Sequence, residues 1–188
     1  DMKDHYTVLI VGGGTAGLTV AAQLSNQVDA PEIGIIEPSE THYYQPGFLF
    51  IPFGIYGRND VIKAKRDFIP AGVKMITSEI EVVEPEKNRV KIVEGDRWLD
   101  YDYLIIATGT QIAPGETEGL AGDGWRKNIF DFYTPDGAEA LGRFLRLAKL
   151  GRFRDAEQAF EEALRSEPGY VNARQALAQL RAMMEPAP

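Results

Sequence analysis

Cysteine is missing from all 188 residues. The chain therefore forms no disulfide, no thiolate metal site and no cysteine redox couple from its own residues. Positive charge is also in short supply: 20 Lys and Arg stand against 28 Asp and Glu, a net charge of −8. A nucleic-acid binder needs a basic footprint for the phosphate backbone, so no nucleic-acid partner is expected. Simple electrostatic adhesion to an anionic membrane is disfavoured for the same reason. No stretch approaches the roughly 20 consecutive apolar residues of a membrane span. No apolar segment follows Asp1-Met2-Lys3-Asp4-His5 either, so no secretory signal is expected and the compartment is left open.

What is present is ordinary globular material, with 44% apolar and 26% charged residues, so disorder is not the default reading. The length allows one domain of usual size plus a small appendage. Composition changes near residue 140. Residues 1–136 carry 21 acidic and 12 basic side chains and 9 alanines, whereas residues 137–188 carry 7 acidic, 8 basic and 11 alanines. After the change Arg outnumbers Lys by 7 to 1, and helix formers replace β-branched residues. Two structural units are expected.

The first unit alternates element types. Thr7-Val8-Leu9-Ile10-Val11 is a continuous apolar run, as a buried parallel strand requires. Leu18–Leu24 reads as a short helix and Ile33–Ile36 as a second buried strand, which makes a βαβ unit. Glu79–Glu84, Arg89–Val93 and Arg97–Asp100 alternate apolar and polar residues, with Pro85–Asn88 and Glu94–Asp96 as turns. They predict a small antiparallel meander. Tyr103–Ala107 predicts a further buried strand.

Between the first strand and helix, Gly12, Gly14 and Gly17 fit G-x-G-x-x-G. Gly12 permits a tight turn, Gly14 lets a pyrophosphate approach the backbone, and Gly17 lets the helix pack on the strand. The free N–H groups at the helix start favour phosphate, and no Lys or Arg lies nearby in the sequence. Glu37 ends the next strand 20 residues past Gly17, where a carboxylate can accept bonds from both ribose hydroxyls and repel a 2′-phosphate. The alternative is a structural turn with Glu37 as a solvated strand end. The conjunction of strand, glycines, helix and carboxylate favours a dinucleotide site. His42 reads as a loop residue rather than a catalytic base, since no carboxylate or second histidine clusters with it. No catalytic residue and no metal ligand is assigned.

Ile105-Ile106-Ala107-Thr108-Gly109 resembles the segment that closes the FAD domain of two-dinucleotide flavoproteins. That resemblance, and not the spacing, implies FAD rather than NAD. It also implies that Ala107, Thr108 and Gly109 pass near the cofactor and that the backbone around Val82 lies near the adenine. On their own terms Ala-Thr-Gly is only a strand end with a turn. Residues 36–46 (Ile-Glu-Pro-Ser-Glu-Thr-His-Tyr-Tyr-Gln-Pro), with Tyr6–Gly17 and Tyr101–Gly109, are similar to sulfide:quinone oxidoreductases, over about Tyr6 to Phe144. This implies that Tyr43, Tyr44, Gln45 and Pro46 lie beside the flavin ring, where the aromatic pair alone could equally be packing. The candidate cofactor-binding set is thus Gly12, Gly14, Thr15, Ala16, Gly17, Glu37, Pro38, Tyr44, Gln45, Val82, Ala107, Thr108 and Gly109.

The resemblance also implies features that the sequence does not contain. Sulfide oxidation in that family depends on cysteines, a second dinucleotide domain, a later FAD-closing segment and a membrane-associating C-terminus, all after residue 144. Gly119, Gly122 and Gly124 are no second fingerprint, because no apolar strand leads into them. A truncated or rearranged protein is expected, inactive in sulfide oxidation alone. Sulfide and quinone become partners only if another chain completes the site. Peripheral membrane association is implied by the family, but the responsible segment is absent.

From Leu147 to Pro168 the chain resembles a tetratricopeptide hairpin: a helix, a turn at Gly151, and a helix stopped by Pro168. Ala156 and Ala163 would allow close helix approach, with Phe160 filling the groove, although bulky Phe144 stands where a small residue is usual. Val171–Met184 resembles the first helix of a next repeat, and Glu185–Pro188 a stop and tail. Such helices could cap the flavin domain, bind a protein partner through residues 147–184, or mark a fusion. The expectation is an α/β, Rossmann-like three-layer FAD-binding domain over 1–143 and a TPR-like α-helical segment over 144–188. The alternative function is a non-enzymatic scaffold working through those helices.

Overall fold

The computed structural model describes residues 3–149 and 152–184. In chain order the elements are β1 (His5–Val11), α1 (Thr15–Leu24), β2 (Ile33–Ile36), β3 (Thr41–Tyr43), α2 (Arg58–Val61), β4 (Ile62–Ala64), β5 (Lys74–Ile76), β6 (Ile80–Glu84), β7 (Arg89–Ile92), β8 (Arg97–Ile106), α3 (Pro135–Lys149), α4 (Phe153–Ser166) and α5 (Val171–Met184). They form two compact units. One joins the N-terminal stretch up to Tyr43 with Ile62–Gln111; the other joins Tyr44–Val61 with the chain from Ile112 onward.

The first unit is built on a six-stranded sheet of order β5-β2-β1-β8-β7-β6. β1 pairs in parallel with β2 (Val8 with Ile33, Val11 with Ile36) and with β8 (Val11 with Ile106), and β2 pairs in parallel with β5. Every residue of β2 is buried, as the unbroken apolar run requires of a strand covered on both faces. Val8, Ile10, Ile33 and Ile35 pack with Leu18 and Ala21 of α1. Leu9, Val11, Ile36 and Ile76 share a second cluster with Val90, Ile92 and Leu99 of the antiparallel strands. Each fully buried aliphatic side chain contributes about 1.5–3 kcal/mol. A helix packed on a central parallel sheet, extended at one edge by antiparallel strands, makes an α/β, Rossmann-like fold.

Three expectations are corrected. The antiparallel β6-β7-β8 meander is present and continues the parallel sheet, but Arg97–Asp100 and Tyr103–Ile106, expected as two strands, are one. That strand is not buried along its second half, where Tyr103 and Ile106 are each 68% exposed. Within β8, β7 pairs with Arg97–Asp100 alone, so beyond that point β8 keeps a strand neighbour on the β1 side only. The first helix begins at Thr15 rather than Leu18, because Leu18 N–H already bonds Gly14 O.

In the second unit, Asp131 Oδ1 accepts the Thr134 N–H at 2.7 Å and the Thr134 hydroxyl at 2.8 Å, organising the turn before α3. α3 runs unbroken through residues 143 and 144. The Phe144 ring stands 5.3 Å from both Phe130 and Phe160, edge-on to the latter, so it fills the helix interface where a smaller residue was the usual expectation. α4 and α5 are antiparallel, since Arg181 late in α5 pairs at 2.6 Å with Glu157 and with Glu161. Ala156, Ala163 and Ala173 are buried among these helices with Leu177 and Leu180. The turn expected at Gly151 and the tail expected at Glu185–Pro188 lie outside the described residues.

Ala163→Leu should destabilise the helical unit by about 1–3 kcal/mol, because the interface has no room for the added methylenes. Urea unfolding followed by circular dichroism measures this. An unchanged midpoint would contradict the close helix approach.

Candidate functional site

The strands β1, β2 and β8 end together. Gly12 N–H bonds Ile36 O at 2.9 Å, and Ala107 N–H bonds Val11 O at 2.7 Å. The loop after β1 is thereby held where open α/β sheets present their ligand crevice. Gly12 has φ +105°, and a Cβ there would stand 2.2 Å from Ala107 O. A Cβ at Gly17 would stand 1.9 Å from Gly12 O, so the first turn of α1 rides directly on the loop. These two positions require glycine for the protein's own packing.

Gly14 is different. A Cβ built on it meets nothing within 4 Å. It is the N-cap of α1, has no side-chain cap, and the first turn contains no acidic residue. Thr15 and Ala16 follow in that turn, where N–H groups lack intrahelical partners and the helix dipole is positive. An open surface at Gly14 beside uncapped N–H groups fits a phosphate-bearing ligand.

Glu37 continues from β2, its N–H bonding Ile76 O at 3.0 Å. Its Oε2 accepts the Gly13 N–H at 2.8 Å and its Oε1 the Ser39 N–H at 2.8 Å. The sequence suggested no nearby cation, and the structure corrects this. Lys65 Nζ lies 2.9 Å from Glu37 Oε2, with side-chain exposures of 5% and 13%. Lys65 arrives through the antiparallel pairing of β3 with β4 (Thr41 with Ala64) and its N–H bonds Glu40 O at 2.8 Å. Two three-residue strands leave no periodic signal in the sequence, so this neighbour was not legible there.

Burial pushes the Glu37 carboxyl upward, but bonds from Lys65, Ser39 and Gly13 outweigh it and hold the group below its ordinary value. His42 lies in β3, not in a loop, and its ring packs 4.7 Å from that of Phe68. Burial, and then the charge on Lys65, lower its pKa.

The remaining expected residues are more scattered. Pro38 is exposed in the turn after Glu37, and Ala107, Thr108 and Gly109 leave β8 beside the glycine loop. Val82 lies in β6, three strands from β1 in ladder order, next to a register shift between Ile80 and Val82. Tyr44 and Gln45 belong to the second unit, where Tyr44 N–H bonds Val61 O at 2.8 Å before the short turn Gln45–Phe50. The described residues contain no group of three or more His, Asp and Glu arranged to hold a metal. No described helix is long and apolar enough to cross a membrane.

Residues 6–143 match the pyridine nucleotide-disulphide oxidoreductase family. The chain belongs to that family. It is similar to the mitochondrial sulfide:quinone oxidoreductase of Dictyostelium discoideum, at 36% identity over 151 residues, 80% of this chain and 33% of that protein. The Mus musculus enzyme of the same name is 35% identical over 118 residues, 63% of this chain and 26% of that one. The solved sulfide:quinone oxidoreductase of Aquifex aeolicus shares the fold, with a TM-score of 0.59 and 23% identity over 79% of this chain and 33% of its own. The chain thus spans a third or less of the length of these relatives. Family membership and this fold indicate FAD as the cofactor.

Because the Glu37 pKa is lowered on folding, its charged form stabilises the fold above the ordinary carboxylate range, and that contribution is lost as pH falls through the lowered value. The stability gap between wild type and Glu37→Gln should therefore be widest near neutral pH and close under acid. Urea unfolding of both proteins from pH 7 down to pH 3 checks this. A gap that widens on acidification would contradict it.

Proposed function

We propose that this chain is the FAD-binding part of a sulfide:quinone-type oxidoreductase. The observation that carries the reading is the pairing of an open, uncapped helix start at Gly14 with a carboxylate fixed beside it by the Gly13 N–H. The N–H groups of the first turn, around Thr15 and Ala16, hold the pyrophosphate, and the partial positive charge of α1 favours it. Glu37 accepts from the ribose, with Pro38 turning the chain away behind it. Ala107, Thr108 and Gly109 form the wall of the crevice next to Gly12. Val82, Tyr44 and Gln45 enter on family resemblance alone. FAD, when bound, supplies a group that takes up and gives back two electrons; the residues named here bind and orient it.

The relatives' names describe sulfide as donor and quinone as acceptor. We infer that this activity draws on residues other than these 188, because sulfide chemistry of the kind the resemblance implies needs thiols and the chain has none. The division near residue 143 is kept as a functional one, supported by the family match ending there and by the change in composition. A second role for the helices as a TPR-like partner site is favoured by one observation, the antiparallel α4–α5 pair closed on buried Ala156 and Ala163.

Gly14→Ala separates ligand binding from folding. Its Cβ meets no protein atom, so stability should change by less than about 1 kcal/mol, the usual range for an N-cap residue. FAD affinity should fall at least about tenfold, because the added carbon occupies the ligand's approach to the backbone. Flavin fluorescence titration reads the affinity and a thermal melt the stability. Unchanged affinity would place the pyrophosphate elsewhere.

A further inference from the structure

Tyr44–Gly57 contains no Asp, Glu, Lys or Arg, and from Phe48 to Ile55 no side chain can form a hydrogen bond. A run of this kind belongs in a core, and Phe48 and Ile51 are indeed buried. The rest is not: Phe53 is 70% and Ile55 64% exposed, and Leu49 and Phe50 are exposed with them. Single apolar residues on a surface need no explanation, but several gathered in one short turn mark a contact surface.

The turn that carries them is closed on itself. Ile51 N–H bonds Phe48 O at 3.3 Å, Gly54 N–H bonds Ile51 O at 3.0 Å and Ile55 N–H bonds Phe50 O at 3.2 Å, while Pro52 has no N–H to satisfy. Gly54, at φ +72°, makes the reversal at the tip. The base is held by α3. A Cβ on Gly142 would stand 3.1 Å from Pro52 Cα, and Arg58 Nη1 pairs with Asp136 at 2.6 Å and with Glu139 at 3.1 Å. The Phe50 and Tyr56 rings meet edge-on at 5.5 Å. The apolar tip is thus preorganised, and binding through it needs little further ordering.

We propose that residues 49–56 are a lipid-contacting tip that seats in the interface of a zwitterionic phospholipid bilayer. Hydrocarbon accepts only backbone whose polar groups are already satisfied, and this turn supplies its own bonds. A protein partner would find no hydrogen-bonding side chain between Phe48 and Ile55, whereas protein interfaces carry about one hydrogen bond per 100–200 Å². Exposed Tyr56 borders the tip, with the amphipathic ring that suits the level of the headgroups. The net charge of −8 opposes anionic lipid, and a charge-free tip needs no counter-charge, so the bilayer it fits is neutral. A second copy of the chain would bring the same −8 to this face. Phe53 and Ile55 are not among the residues assigned to the cofactor, so lipid binding and FAD binding are separable.

The test floats the full chain through a sucrose gradient with phosphatidylcholine vesicles, wild type beside a double variant carrying Phe53→Ser and Ile55→Ser, with circular dichroism as the check on folding. Wild type should rise with the vesicles, and the double variant should partition at least about tenfold less, because the two most exposed apolar side chains of the tip are gone. Phosphatidylserine added to the vesicles should not strengthen the binding. A wild type that stays at the bottom, a double variant that floats equally well, or binding that requires phosphatidylserine would overturn the proposal. A wild-type dimer that the double variant turns into a monomer, with no flotation, would give the face to a second copy and overturn it as well. If the double variant does not fold, Phe53→Trp decides. Fluorescence quenched by brominated phosphatidylcholine beyond the wild-type level upholds lipid contact, and quenching no greater than that of wild type overturns it.

Discussion

The carboxylate of Glu37 ties three stretches of chain that are distant in sequence. Through Gly13 it holds the turn after β1, through Ser39 it shapes its own exit from β2, and through Lys65 it fixes the chain as it leaves β4. Burial of the group disfavours its charge, and these three donors outweigh that burial and hold its pKa below the ordinary carboxylate value. Removing one member of such a pair leaves an uncompensated charge, at a cost of about 3–5 kcal/mol. The same constraint fixes where a ligand can sit. With the carboxylate clamped against the loop, the surface left open is the one over Gly14 and the uncapped start of α1.

Much of this was legible in the chain. Thr7–Val11 and Ile33–Ile36 are unbroken apolar runs, and both are central strands covered on two faces. The three glycines occupy three physically different positions: Gly12 in a left-handed turn, Gly17 at a backbone contact, and Gly14 facing open space. The spacing of a G-x-G-x-x-G motif encodes all three. Less legible was β8, because Asp100 and Asp102 interrupt its apolar pattern. They do so where β7 ends its pairing, and Asp102 turns outward to His5 at 3.1 Å. Lys65 was not legible at all, since its place depends on a tertiary pairing between strands of three residues.

The two compositions found along the sequence have separate physical meanings. The β-branched part makes a sheet whose strand ends converge on a loop, an arrangement suited to holding one small ligand. The Ala- and Arg-rich part makes antiparallel helices whose contact depends on small residues, with Phe144 and Phe160 filling the space those residues leave. Arg181, reaching two glutamates on the facing helix, adds an exposed link of the kind worth only a fraction of a kcal/mol. Packing of Ala156, Ala163, Ala173, Leu177 and Leu180 therefore carries the stability of that segment.

A working FAD site at the crevice of Gly14 and Glu37 would retain the flavin through desalting. The visible absorbance of the purified chain, incubated with excess FAD and then desalted, tests it most directly. Flavin absorbance should stay with the protein fraction. A protein that emerges colourless, with all the flavin in the small-molecule fraction, would contradict it.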